Sequence, residues 1–279
     1  MIITARLFFI RNSRDEFVRS NSLEIIGSDV LTFFNSIAIF LLFLVKGVCK
    51  SSYLNLIFSN NMEISVDDMY KIENKGHDMG FLKKFMMENA GAAAVRRLVE
   101  KFGSVEGKEI VVNAGLGNNG GDALVMARHL AGHNANVRVI LLGLPDKIKT
   151  EESKWNWSIL EKMTSVKLVP RPIYDASIDF HPDVIIDGIL GTGITGEIRE
   201  PYASAINRTN ATNKCFKIAV DVPSGLDPQT GNTANIYTKC DMTVTFHKMK
   251  KGIPKRKDLT GEVFVEKIGI PPEAEDGIL

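Results

Sequence analysis

Asn118-Asn119-Gly120-Gly121-Asp122 sets side-chain oxygens around two glycines. Such a turn can hold a phosphate, a hard cation or a polar substrate. Gly115, Gly117 and Gly120 place it in a G-x-G-x-x-G frame. In that frame the missing side chains let backbone approach a phosphate while the N–H groups of a helix start face it. The turn departs from both common phosphate loops. A triphosphate loop carries lysine and then serine or threonine after its last glycine, whereas Gly121 and Asp122 follow Gly120 here, which disfavours triphosphate hydrolysis. A redox dinucleotide site wants an acidic residue closing the second strand. The run Val137 to Gly143 ends without one, and Asp146 comes only after Pro145, which disfavours an ordinary dehydrogenase. The plainer alternative is a tight turn in which Asp122 caps the helix start.

Two further loops carry the same chemistry. One runs from Asp187 through Gly188-Ile189-Leu190-Gly191-Thr192-Gly193-Ile194-Thr195-Gly196, and the other is Asp221-Val222-Pro223-Ser224-Gly225-Leu226-Asp227. Each follows a short apolar run, as the first turn follows Ile110, Val111 and Val112. Those β-branched runs suit strands buried on both faces.

The elements that must position the loops are legible around them. Leu124, Ala127, Leu130 and Ala131 recur at helical spacing after the first turn, and Gly132 supplies a stop. Ser65 with Asp68 three residues on resembles a capping box, opening a helix that carries Met69 and Ile72 and that Gly76 and Gly80 should break. Phe81 to Phe102 reads as one or two helices with Ala94, Leu98 and Phe102 on one face. Further strands are expected at Val137 to Leu142, Val166 to Val169, Val184 to Asp187, Lys217 to Val222, Met242 to Phe246 and Val263 to Ile268. Helices are expected from about Thr150 to Met163 and around Tyr202 to Asn207, with Pro201 in the first turn. Trp155 and Trp157 read as surface or rim packing rather than a base-stacking platform.

This alternation implies an α/β fold, a mostly parallel sheet with helices on both faces. In such sheets ligands bind beyond the carboxyl ends of the strands. The three loops then share one edge, and one pocket receives Asn118, Asn119, Asp122, Asp187 and Asp221. Carboxylates gathered in that way are costly, so the grouping predicts a bound cation or a raised carboxyl pKa. With no histidine or cysteine in the loops, zinc is disfavoured and an alkali or alkaline-earth ion preferred.

At 279 residues, 44% hydrophobic and 24% charged, the chain can hold one large α/β domain and an extension. Its net charge of +1 supplies no global field for nucleic acid or membrane. Cys49, Cys215 and Cys240 are isolated, which fits a reducing, cytoplasmic compartment. Residues 1–61 differ from the rest. The Phe- and Leu-rich run Val30 to Val45 falls short of the roughly 20 residues of a membrane span and lies far from Met1 for a signal peptide. A marginal anchor, a targeting segment and an upstream extension without a folded role compete. The last is favoured because Met62 directly precedes a domain start, which gives residues 1–61 as extension and 62–279 as domain.

Five segments taken together carry a resemblance: MENAG (Met87 to Gly91), GLGNNGGDALVMARHL (Gly115 to Leu130), DGILGTGITGEIREPY (Asp187 to Tyr202), VDVPSGLD (Val220 to Asp227) and DMTVTF (Asp241 to Phe246). In this order the chain resembles the NAD(P)H-hydrate epimerase family, the YjeF N-terminal domain. The resemblance implies a Rossmann-like three-layer α/β/α fold. It also implies a repair reaction that interconverts the R and S epimers of NADH or NADPH hydrated at C6 of the nicotinamide ring (NADHX, NADPHX). It places substrate contacts at Asn118, Asn119, Gly120, Gly121, Asp122, Gly191, Thr192, Gly193, Ile194, Thr195, Gly196, Glu197 and Asp221. One potassium ion per subunit (K+) would be held by Asn119, Asp187 and Ser224. Asp221 is the candidate catalytic group, against the simpler role of a strand-end carboxylate holding the Pro223-Ser224-Gly225 turn. Arg199 and the basic stretch His247 to Lys251 could meet phosphates but read more simply as a solvated face.

The ADP- or ATP-dependent dehydratase often fused to the family is expected to be a separate partner. A homodimer is left open, and no nucleic-acid partner is expected. Ala123 stands where many relatives carry glycine. The rival reading is a non-catalytic scaffold, since the same domain serves protein contacts elsewhere, and fold does not fix function. Asn119, Asp187, Asp221 and Ser224 standing together argue for the enzyme.

Overall fold

Three apolar segments of the sequence become the centre of a parallel sheet because both of their faces find helices to pack against. The computed structural model describes residues 3–6, 22–25, 63–170, 181–193 and 196–279. The chain divides into two units, Met1–Asn60 and Asn61–Leu279. In the first, β1 (Ile3–Arg6) and β2 (Ser22–Ile25) pair antiparallel with Ile3 opposite Ile25. The run Val30 to Val45 and Met62 lie outside the described residues. No described helix is long and apolar enough to cross a membrane.

In the second unit, β3 (Glu63–Ile64) leads into α1 (Val66–Asp78) and α2 (Lys83–Phe102). The central sheet then forms from β4 (Glu109–Ala114), β5 (Asn136–Leu141), β6 (Val166–Pro170), β7 (Val184–Gly188), β8 (Phe216–Val220) and β9 (Met242–Phe246). Next, β10 (Met249–Lys250) pairs parallel with β3, and β11 (Glu262–Glu266) joins the main sheet. The order across that sheet is β11-β9-β8-β7-β4-β5-β6, and every pairing is parallel. The chain steps from β4 outward to β6 and then returns to the other side of β4. The order therefore reverses between β4 and β7, where an open α/β sheet leaves a crevice at its carboxyl edge.

Side-chain alternation divides the core into two layers. Ile110, Val112, Val137, Val139, Val184 and Ile186 face α1, α2, α3 (Asn118–Gly132) and α4 (Glu151–Leu160), meeting Ile72, Leu98, Leu124 and Leu160. Val111, Ile140 and Ile185 face the opposite way, against Ala205 and Ile206 of α5 (Tyr202–Ala211). This is the expected three-layer α/β/α arrangement.

Several local expectations change. Ser65 caps α1 as read, its hydroxyl accepting from the Asp68 N–H at 3.0 Å. Gly76, however, stays inside that helix: a Cβ there would lie 3.1 Å from Met86 and 3.2 Å from Ile270, so the glycine serves close packing rather than a break. Asp122 is not a cap, because α3 starts four residues earlier behind Gly117. Trp157 belongs to the core at 4% exposure, with its indole N–H donating to Glu161 at 2.7 Å, whereas Trp155 is exposed as expected.

Candidate active site

The first two loops meet backbone to backbone. Gly115 N–H donates to the Gly188 carbonyl at 2.9 Å, and a Cβ on Gly115 would overlap the Ile189 carbonyl oxygen. Gly120 sits equally tightly over the Gly115 carbonyl. The turn is thus wound close enough for α3 to begin at once, and its first helical bond runs from Gly121 N–H to the Gly117 carbonyl at 3.1 Å. The N–H groups of Asn118, Asn119 and Gly120 precede that bond and have no acceptor inside the helix, which leaves them for an anion or a polar ligand.

A hydrogen-bonded knot joins the second and third loops to the first. The fully buried Asp187 carboxylate accepts from the Ser224 hydroxyl at 2.5 Å and the Ser224 N–H at 2.8 Å. Ser224 Oγ accepts from the Leu190 N–H at 2.9 Å, and the Asn119 amide donates to the Leu190 carbonyl at 3.0 Å. Burial pushes the Asp187 carboxyl above its usual range, its bonds to Ser224 and Ile189 oppose that rise, and no described salt bridge reaches it. A buried carboxylate among neutral oxygen donors, without a cationic side chain, is an environment an alkali cation would complete. Asn119, Asp187 and Ser224 therefore fit that ion by donor type. Among the described residues no cluster of three or more His, Cys, Asp or Glu side chains is arranged for a metal.

Asp221 directly follows β8 with φ at +61°, in the left-handed region that few side chains other than Asn and Asp tolerate. Its N–H is held by the Val244 carbonyl at 2.8 Å. Three donors converge on one of its oxygens, Oδ1: the Lys250 ammonium, the Thr245 hydroxyl at 2.9 Å and the Phe246 N–H at 3.1 Å. Lys250 is itself only 2% exposed and also donates to Thr245 Oγ1 at 3.0 Å and the Phe246 carbonyl at 2.9 Å. The ion pair fixes Oδ1 and leaves Oδ2 without a described protein donor.

Asp221, Lys250, Asn118, Asn119, Asp122, Gly191 and Thr192 line one pocket, together with Tyr70 and Glu73 of α1 and Lys83, Met86 and Met87 of α2. Burial, reinforced by Asp221 and Glu73, pushes the Asp122 carboxyl well above the ordinary carboxylate range. Burial likewise raises Glu73 to about 7, with Lys250 opposing the rise and Asp221 adding to it. Of the grouping foreseen, Asp122 and Asp187 have raised carboxyls, Glu73 adds a third that was not foreseen, and Asp187 lies fully buried in the knot rather than in the pocket lining.

Of the residues expected at the site, Gly120 and Gly121 shape the turn from behind the lining. Gly193 and Gly196 lie outside it, and Ile194 and Thr195 fall outside the described residues. Glu197 does not line the pocket and sits 3.8 Å from Arg199 at the surface. The stretch from His247 to Lys251 is not the solvated face expected: His247 and Lys250 are buried, and Lys248 pairs with Glu275 at 2.7 Å. Lys250, Glu73 and Tyr70 were missed. The position of Lys250 just beyond the carboxyl end of β9 is the signal that would have flagged it.

Sequence comparison shows the family, and structural comparison shows the fold. The profile described as "YjeF-related protein N-terminus" matches residues 83–252. A protein of Nitrosopumilus maritimus named NAD(P)H-hydrate epimerase is 77% identical over 218 residues, covering 78% of this chain and all of that one. The like-named protein of Cenarchaeum symbiosum is 67% identical over the same span. A bifunctional NAD(P)H-hydrate repair enzyme of Pyrobaculum aerophilum is 41% identical over 215 residues, 42% of its length. The crystal structure of yeast ynu0 superposes with a TM-score of 0.66 at 24% identity, covering 77% of this chain and 93% of that one, and carries the same fold.

Proposed function

Because the chain belongs to the family of the YjeF-related protein N-terminus, we infer that it is an NAD(P)H-hydrate epimerase, an isomerase of nicotinamide nucleotide repair. It interconverts the R and S forms of NADH or NADPH hydrated at C6. Residues 62–279 form the epimerase domain in this reading, and residues 1–61 are an N-terminal extension of the sequence. The observation that carries the reading is the Asp221–Lys250 pair facing the Asn118–Asp122 turn across one pocket.

Inverting C6 requires its hydroxyl to leave, or the ring to open, and oxygen to return to the other face. Either route needs a group that gives and takes a proton at that oxygen. Asp221 supplies one proton-transferring group through Oδ2, while Lys250, Thr245 and Phe246 hold the carboxylate by Oδ1. The free N–H groups at the start of α3 suit the pyrophosphate of the dinucleotide. Asn119, Asp187 and Ser224 would hold one potassium ion, which when bound neutralises the buried Asp187 carboxylate and tightens the knot joining the three loops. A separate ADP- or ATP-dependent dehydratase would consume the S epimer.

Supplying a mixed R and S hydrate to an S-specific dehydratase tests the function. With this protein added, the R fraction should be consumed. Persistence of that fraction in both potassium and sodium would sink the reading.

A further inference from the structure

Glu73 is one of three pocket carboxyls, with Asp122 and Glu152, that no described hydrogen bond or ion pair holds, and of the three it alone comes from α1. Asp221 is fixed by three donors, whereas no hydrogen bond or ion pair reaches Glu73 among the described residues. It comes from a different layer than Asp221, since α1 packs over the sheet while Asp221 rises from the sheet edge. Tyr70, one turn earlier on the same helix face, hydrogen-bonds Thr192 Oγ1 at 2.8 Å. That bond fastens α1 to the glycine loop and sets Glu73 in the pocket lining. The charged groups around it are Lys83, Lys250, Asp122 and Asp221.

Epimerisation needs chemistry on both faces of one ring carbon. A carboxyl held by three donors against one face cannot also reach an oxygen on the other. We propose that Glu73 is a second catalytic residue, protonating the departing C6 hydroxyl on one face of the ring while Asp221 accepts a proton from the water that arrives on the other. The C6–O bond breaks with its electron pair on oxygen, that oxygen takes the Glu73 proton, and water departs as the N1 lone pair forms the N1=C6 bond. Water then bonds C6 from the opposite face, N1 regains its pair, and the released proton goes to Asp221. The site finishes with the proton on Asp221 and Glu73 ionised, which is the state that inverts the other epimer, so nothing else is consumed.

This assignment rests on the epimerase reading, and the test separates the two. Steady-state epimerisation is measured across pH 6–9 for the wild type, Glu73→Gln and Glu73→Asp. In the wild type, kcat/KM should fall about tenfold per pH unit on the alkaline side as the shared proton is lost. Glu73→Gln should lower kcat by about 10²–10⁴-fold with KM within threefold and should abolish that limb, while Glu73→Asp keeps the limb and part of the rate. Glu73→Gln breaks no described bond, so its fold is checked only by circular dichroism. A Glu73→Gln variant with kcat within threefold of wild type, a loss carried wholly in KM, or an alkaline limb that survives the substitution each overturns the role. An inactive wild type would instead sink the epimerase reading itself.

Discussion

The Lys250 ammonium donates a hydrogen bond to Asp221 from a side chain that is 2% exposed, so the charge that steadies the proposed catalytic carboxylate has almost no contact with water. Removing one member of such a pair strands the other. Lys250→Met should cost about 3–5 kcal/mol in urea unfolding, and the double variant Lys250→Met/Asp221→Leu should recover part of that loss. Asp221→Asn should retain the substrate yet lose at least about 10²-fold in kcat. An Asp221→Asn protein that binds and turns over normally would reduce Asp221 to a structural role.

Gly120 lies inside α3, where alanine ordinarily gains about 1 kcal/mol of helix propensity. Here the added Cβ overlaps the Gly115 carbonyl oxygen, a backbone atom that cannot move without opening the turn. The clash should outweigh the propensity. Gly120→Ala is expected to be net destabilised in denaturant and to raise KM, whereas Gly132→Ala at the far end of the helix, with open space around it, should be neutral or stabilising.

The potassium assignment makes a thermal prediction. At matched ionic strength, potassium chloride should raise Tm above choline chloride by about 2–4 °C per kcal/mol of binding free energy, and a hundredfold excess over Kd supplies about 2.7 kcal/mol. Ser224→Ala removes the hydroxyl that donates to Asp187 and accepts from Leu190, and it should erase the difference. Equal Tm values in the two salts for the wild type would argue against the ion.

Glu73 also links stability to pH. Its carboxyl is raised from 4.5 to about 7 in the folded protein, so the folded state binds the proton more tightly than the unfolded chain does. The contribution is fully present below about pH 4.5 and is lost as pH rises through about 7. At 1.36 kcal/mol per pKa unit, reduced for partial exposure, this is about 2 kcal/mol. Glu73→Gln should therefore be more stable than the wild type at pH 8 and nearly equal to it at pH 5 by chemical denaturation. The same stability difference at both values would contradict the raised carboxyl.

Much of this site is visible in the chain because strand-end loops of a parallel sheet share an edge. Asn118, Asn119, Asp122 and Asp221 need only the strand pattern to be grouped in the pocket, and their crowding foretells a raised carboxyl, whereas Asp187 turns out to lie buried in the knot behind it. Lys250 was hidden because a run of charges beside His247 looks solvated until β10 pairs with β3 and draws it inward. Glu73 gave no signal at all: an acidic residue on an amphipathic helix resembles its solvent face, and only the packing of α1 over the loops makes it part of a wall. Gly76 misled for a related reason, since its use in packing against Met86 and Ile270 is a tertiary matter.

The Leu190 carbonyl oxygen takes the Asn119 amide at 3.0 Å with the Ser224 hydroxyl oxygen 3.2 Å away, so three segments far apart in sequence meet around one atom. A loop transplanted singly from a distant relative would therefore arrive with its anchor points mismatched. The segments following β4, β7 and β8 form one exchangeable cassette, and variation at this site is expected to travel in triplets rather than one segment at a time.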